Sequence, residues 1–421
     1  MTRIVQHSVM ALLLVTIILV GGVSAASADL REIVMFVDGT SLAVQQQVVA
    51  LSGSTVLHDL SLITALAVLT NEQGLAFLKS KVQGVCNPLL DSLCVVAEID
   101  DDLVSVLPGD MCIAPKPPPV PESYPWGLMH INVPAAHQQH PTVRGSGVTI
   151  AILDTGIDST HLTVGEFSQK DAGGYNALYG GGSSYDNQGH GTHMTGIIAA
   201  AANNTGIIGA APNVNLAAVK VLDQNGNGYV SDVIDGLQWV HNNGIRLVNV
   251  SLGFSTDSKP LQKAIQSLYN SGMIMVAAVG NRCSVQPSQE DGGGADCLVP
   301  SGTCNAPLTS VLYPAAYSWV IAVGATDINN QVTAYSLTGS QVDVVAPGGD
   351  MTSRILSTNL GGGYGEAYGT SQAAAHVSGT LALALQCQPQ LSPNEARSRL
   401  QECATGAGLI DSACILKKLC P

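Results

Sequence analysis

Ser371 stands in Gly369-Thr370-Ser371-Gln372-Ala373-Ala374-Ala375-His376-Val377-Ser378-Gly379, a serine among small residues with a histidine five positions on. Serine becomes a nucleophile only beside a base that takes its proton, so the first question is whether His376 is that base. If the segment is helical, five residues turn about 500° around the axis and leave the two side chains roughly 140° apart. They then face different sides and share no hydrogen bond. The stretch 370–387 is apolar almost all round, which marks a buried helix and makes His376 a hydrogen-bonded core histidine. A helix start does suit Ser371 as nucleophile, because free backbone N–H groups and the helix dipole favour developing negative charge there.

Upstream segments offer the missing partners. Asp154 follows an apolar run in Leu153-Asp154-Thr155-Gly156-Ile157-Asp158, where the carboxyl end of a strand would present it. Taken alone it reads rather as a helix cap or turn aspartate. His190 lies in Asp186-Asn187-Gln188-Gly189-His190-Gly191-Thr192-His193-Met194-Thr195-Gly196, between glycines that let backbone approach closely and leave the ring uncrowded. His190 and His193 have the i,i+3 spacing of paired metal ligands. No carboxylate stands at the helical spacing of a zinc protease, so no metal site is assigned.

The elements around these residues alternate. Apolar, β-branched runs at 148–153, 217–222, 245–250, 273–278 and 319–323 are separated by stretches of helical spacing such as 230–241 and 261–269. Near-continuous apolar strands with helices between them predict a parallel sheet covered on both faces, a three-layer α/β/α fold with a mostly parallel sheet. A smaller α+β unit precedes it over 29–110, with strands at 33–37 and 95–99, an apolar run at 62–69 and helices near 45–51 and 72–79. Between the two lies Ala114-Pro115-Lys116-Pro117-Pro118-Pro119-Val120-Pro121, in a linker over 111–123. Its prolines remove backbone donors and predict an extended, exposed spacer. Ser392-Pro393-Asn394-Glu395 predicts a capped helix near the end of the 124–421 unit.

Composition bounds the function. Net charge is −14, with no run of Lys or Arg, and such a surface repels phosphate backbones, which excludes nucleic acid as a partner. Residues 1–28 read as a secretory signal, with an apolar segment at 9–20 and small-residue cleavage patterns at Val23-Ser24-Ala25 and Ala26-Ser27-Ala28. An uncleaved membrane anchor is the alternative, and the only route by which a membrane enters. Ten cysteines, none in a Cys-x-x-Cys pair, fit a secreted, oxidising destination. Their connectivity does not follow from sequence; the local pairs Cys86–Cys94 and Cys414–Cys420 are the expectations.

The motifs around Asp154, His190 and Ser371, with Asn249-Val250-Ser251-Leu252-Gly253 and Val276-Ala277-Ala278-Val279-Gly280-Asn281, resemble in order those of the subtilisin-like serine proteases, the subtilases. The resemblance covers about residues 124–416. It implies a serine endopeptidase in which Ser371 attacks the scissile carbonyl, His190 relays its proton, and Asp154 holds the imidazole. It further implies Asn281 as an oxyanion donor and Ser251, Leu252 and Gly253 as the edge that pairs with an extended substrate. Residues 29–110 resemble the family's propeptide, an intramolecular inhibitor removed by self-processing. Protein or peptide substrates are the expected partners, a monomer the expected state, and the chemistry requires no cofactor.

The chain departs from the family in three places. Gln372 and Ala375 replace a methionine and a proline after the serine. Leu162-Thr163-Val164 replaces a Pro-Asp-Leu, and the loop at 202–209 is short, so the usual calcium site looks degraded; calcium near Asp223-Gln224-Asn225-Gly226-Asn227-Gly228 is the remaining candidate. An insertion after Arg282 carries Cys283, Cys297 and Cys304. If Cys86 pairs with Cys94, cysteine parity keeps Cys112 with the mature enzyme and places processing near 107–110.

Overall fold

In the computed structural model, which describes residues 29–87, 91–105, 113–178, 181–282 and 308–420, the N-terminal unit begins with β1 (Leu30–Phe36). It continues through α1 (Leu42–Leu51), β2 (Thr55–Leu60), β3 (Ala65–Thr70), α2 (Glu72–Ser80) and β4 (Val96–Asp101). The strands form an antiparallel sheet in the order β2-β3-β1-β4. Alternation sorts the side chains. Val34, Phe36, Leu66 and Val68 turn towards Val48, Val49 and Leu78 of the two helices. Ile33, Met35, Ala65 and Ala67 turn the other way, into a core shared with the rest of the chain. A fully buried aliphatic side chain of this kind contributes about 1.5–3 kcal/mol over its exposed state. The signal at 1–28, the expected cut at 107–110 with Cys112, and Cys283, Cys297 and Cys304 lie outside the described residues.

The linker is less free than its prolines suggest. β5 (Ala114–Lys116) pairs antiparallel with a later strand, and Lys116 is 3.1 Å from Glu366. Pro115 is tolerated because β5 is the edge of its sheet. Beyond it Val120 is 91% exposed.

The larger unit follows as α3 (Trp126–His130), α4 (Val133–Gln139), β6 (Thr149–Asp154), α5 (Ser159–Thr163), β7 (Asp171–Asn176), α6 (His190–Ala199) and β8 (Asn215–Lys220). Then come α7 (Val230–Asn242), β9 (Leu247–Val250), α8 (Lys259–Asn270), β10 (Ile274–Ala278), β11 (Ile321–Thr326) and β12 (Val344–Pro347). The chain closes with β13 (Ile355–Asn359), β14 (Gly363–Ala367), α9 (Thr370–Cys387), α10 (Pro393–Glu402) and α11 (Ser412–Leu419). Seven strands form one parallel sheet in the order β12-β11-β10-β9-β6-β8-β7. Successive residues feed opposite faces: Ile150 and Ile152 meet α6 and α9, while Ala151 and Leu153 meet α7 and α8. The N-terminal sheet lies on that second face, so the expected α/β/α layering stands with the small α+β unit packed against α7 and α8.

α9 is buried from Thr370 to Leu385, as an all-round apolar helix requires. Gly379 permits it: a Cβ there would lie 2.5 Å from Ala210 Cβ. α10 carries the expected reciprocal cap between Ser392 and Glu395, and α11 follows it, capped by Asp411. The disulfides correct one expectation. Cys86 pairs with Cys94, but Cys414 bonds Cys403 and Cys420 bonds Cys387, because the folded positions of α9, α10 and α11, not sequence proximity, decide which sulfurs meet. Among the described residues no helix is long and apolar enough to cross a membrane.

Candidate active site

Asp154 is the last residue of β6 and fully buried. Its carboxylate accepts the Thr155 N–H at 2.7 Å and faces His190 Nδ1, at 2.7 Å from Oδ1 and 2.9 Å from Oδ2. His190 is the first residue of α6, and the glycines around it are required. Gly189 has φ +112°, and a Cβ on Gly191 would lie 2.2 Å from the Gly156 carbonyl oxygen. Burial alone would lower the His190 pKa. The charge and hydrogen bond of Asp154, with Asp186 behind them, outweigh it and hold the pKa above the ordinary histidine value.

Two residues that the motifs do not single out fix this pair. Asp186 Oδ1 accepts the N–H groups of Gln188 and Gly189, and its Oδ2 accepts the Thr192 N–H and hydroxyl. It thereby satisfies donors at the start of α6 that have no partner within the helix. Lys220 Nζ donates to the carbonyls of Thr155 and Leu222 and to Asn187 Oδ1, tying the turn after Asp154 to the loop before His190. Asp186 lies inside the histidine motif and was legible there only as a motif letter.

Ser371 is the second residue of α9 and fully buried. Its Oγ donates to the Ser251 carbonyl at 3.3 Å, and Ser251 Oγ donates back to the Ser371 carbonyl at 3.2 Å. Asn281 Oδ1 accepts the Thr370 N–H at 3.1 Å and the Thr370 hydroxyl at 2.8 Å. With its oxygen so held, the amide turns its NH2 end away from Thr370. Leu252 and Gly253 follow Ser251 off β9 and are buried, and a Cβ on Gly253 would lie 2.8 Å from Leu312.

The structure thus joins Asp154 with His190, and Ser371 with Ser251 and, through Thr370, with Asn281. Two features bring the groups to one end of the molecule. Asp154, Ser251 and Asn281 all sit at or just past the carboxyl ends of parallel strands. α6 and α9 also pack side by side in the same sense, with Ile198 against Gly379 and His193 near enough to His376 to feel its charge. His376 itself is a core residue. Nδ1 donates to the Gln372 carbonyl at 2.8 Å, and burial pushes its pKa down to about 4. His193 is likewise buried, and its pKa falls to about 3 through burial and then the charge of His190.

The region of the usual calcium site, which the sequence marks as degraded, is organised around a carboxylate. Glu166 projects into the loop after α6, where its carboxylate accepts the N–H groups of Ala201 and Ile207, the Asn203 side-chain amide and the Tyr364 hydroxyl. A hard cation needs oxygens turned inwards, whereas this loop turns donors inwards, so these residues do not fit the ion. Thr163 hydrogen-bonds the Ser159 and Thr160 carbonyls. In the second candidate loop, Asp223 Oδ1 is taken by the N–H groups of Asn225 and Asn227.

A parallel α/β/α sheet presenting these residues at its carboxyl edge defines the class of subtilisin-like serine endopeptidases. The sequence pattern of the Subtilase family matches residues 145–414, and the chain belongs to that family. It is 40% identical over 287 residues to the M-protease of Shouchella clausii strain KSM-K16 and to subtilisin Savinase of Lederbergia lenta. It is 38% identical over 288 residues to subtilisin E of Bacillus subtilis strain 168. Each match takes in 68% of this chain, and 66%, 93% and 68% of the respective relatives.

Asn281→Ala should lower kcat by about 10²–10³ with KM little changed, a magnitude known from subtilisin itself. Steady-state kinetics on a peptide ester and a peptide amide check it. An equal rise in KM would assign Asn281 to substrate binding instead.

Proposed function

We propose that the chain is the zymogen of a secreted serine endopeptidase that hydrolyses protein or peptide substrates and cuts off its own N-terminal unit. The observation that carries this reading is the buried Asp154–His190 pair at the same end of the sheet as Ser371 and Asn281. Ser371 Oγ attacks the carbonyl while His190 Nε2 takes its proton, and Asp154 stabilises the resulting imidazolium. The tetrahedral oxyanion is met by Asn281 Nδ2 and the Ser371 N–H. His190 then protonates the departing amine, and a water activated by the same imidazole releases the acyl group. An extended substrate lies along Ser251, Leu252 and Gly253. No cofactor enters any step.

The prosegment reading draws support from the ends that flank the expected cut. On one side the Ser105 N–H donates to the Gly228 carbonyl at 2.7 Å and Val104 pairs with Tyr229. On the other, Ile113 lies against Gly189, next to His190. The test is to express the chain with and without Ser371→Ala and to determine the N-terminus and intact mass of each product. A wild type that starts between residues 104 and 123, beside a mutant that keeps residues 29–107, supports self-processing. Identical, unprocessed products would remove the zymogen reading.

Gln372 occupies the buried position after the nucleophile, where a methionine would be open to sulfoxide formation. Peptidase activity should survive mild peroxide. Rapid loss, with no methionine sulfoxide elsewhere to account for it, would contradict this.

A further inference from the structure

The contact between the N-terminal unit and the protease contains a charged cluster that the proposed chemistry leaves unused. His58, on β2, is buried, and both its ring nitrogens face carboxylates of α7. Nε2 is 2.9 Å from Asp232 Oδ1, and Nδ1 is 3.3 Å from Asp235 Oδ2. A neutral imidazole has one N–H and one lone pair, and here it would aim the lone pair at a carboxylate. Only the imidazolium satisfies both contacts. We propose that Asp232 and Asp235 form a binding site for the imidazolium of His58, so that the prosegment grips the protease in its protonated form and loosens in alkaline medium. This rests on the prosegment reading above.

The neighbours of the cluster do not supply the effect. From β1, Arg31 Nη2 lies 2.9 Å from Ser231 Oγ and 3.4 Å from Asp232, while its Nε pairs with Asp102 at 2.9 Å. From β7, the Tyr175 hydroxyl donates to Asp235 at 2.7 Å and is held protonated, above its usual range, by burial and that carboxylate. Asp59, beside His58, has its carboxyl raised by burial and then by Asp235. Glu32 on β1, near Asp102, is pushed up to about 7 by burial and then by Asp101, and its titration is present with or without His58. Gln238 of α7 bonds the Leu62 N–H and the Asp59 carbonyl without charge.

The sign follows from the two states of His58. Burial alone would depress its pKa, but the hydrogen bonds to Asp232 and Asp235 reverse that and raise it to about 9. A free histidine titrates near 6.5. The contribution is therefore complete below about pH 6.5, declines as pH rises, and is gone above about pH 10. Its full extent is on the order of 100-fold in the docking equilibrium.

The test uses the full chain carrying Ser371→Ala, which stays in one piece whether or not the wild type cuts itself. A failure of the zymogen reading therefore shows in the processing experiment, and a failure of this one shows here. Histidine-selective NMR should find one imidazole titrating near pH 9, moved towards 6.5 by Asp232→Asn with Asp235→Asn. Amide protection factors in β1 and β3, relative to β6, should fall between pH 7 and 10 by on the order of 100-fold more than in His58→Gln, where the titration of Glu32 remains. His58 titrating near 6.5 in the parent would overturn the proposal, as would the same fall in His58→Gln. If His58→Gln does not fold, the titration decides alone.

Discussion

Ser371→Ala is expected to lower kcat on a peptide substrate by about 2 × 10⁶ and to leave the fold intact. The magnitude is the one known for the nucleophile of subtilisin. The physical content is specific to this chain. Ser371 Oγ makes a long, 3.3 Å hydrogen bond to the Ser251 carbonyl, and the residue sits at a helix start where alanine is well tolerated. The loss of that bond shifts stability by about 0.5–1.5 kcal/mol. Kinetics and thermal unfolding measured together therefore separate a missing nucleophile from a damaged core. A large fall in Tm alongside the loss of rate would point to the core.

Asp154→Asn should lower kcat by about 10⁴, because an amide can donate to His190 Nδ1 and hold the wrong tautomer. The pH profile adds a readout that a packing defect would not give. His190 works as a base only when neutral, so activity falls as pH drops through its pKa, which Asp154 holds above the ordinary value. Without that charge, only Asp186 is left to oppose burial, and the pKa drops. The acid limb of kcat/KM should move to lower pH while the plateau falls. An acid limb that stays in place would assign the titration to another group.

The sheet was legible where a strand carries its own pattern. β6, β8, β9, β10 and β11 are near-continuous apolar runs, and their predicted bounds differ from the observed ones by a few residues. Most of the strands that escaped, though not β2 or β12, are those whose pairing is supplied by neighbours. β7 has two glycines and an exposed first half at the sheet edge; β5 contains a proline; β13 and β14 form a hairpin rich in polar and glycine residues. Strand preference in such segments reflects cross-strand context more than composition.

The candidate site divides in the same way. Asp154, His190, Asn281 and Ser371 each stand inside a short motif, and helical geometry was enough to separate His376 from the base. Lys220 and Glu166 act through partners distant in the chain, and nothing local marks them; Asp186 acts on its own motif, but which donors it satisfies shows only in the fold. Glu166 in particular organises the short loop after α6 through its carboxylate. The cysteines near the end failed for the same reason: Cys387 and Cys420 meet only because α9 and α11 pack together.

The central claim is that Ser371 is a nucleophile activated by His190. Reaction of the expressed protein with a fluorophosphonate at neutral pH, read by intact mass and a peptide map, tests it most directly. One adduct is expected, on Ser371, absent after Ser371→Ala and after His190→Ala. Labelling at another residue, or undiminished labelling of Ser371 without His190, would contradict it.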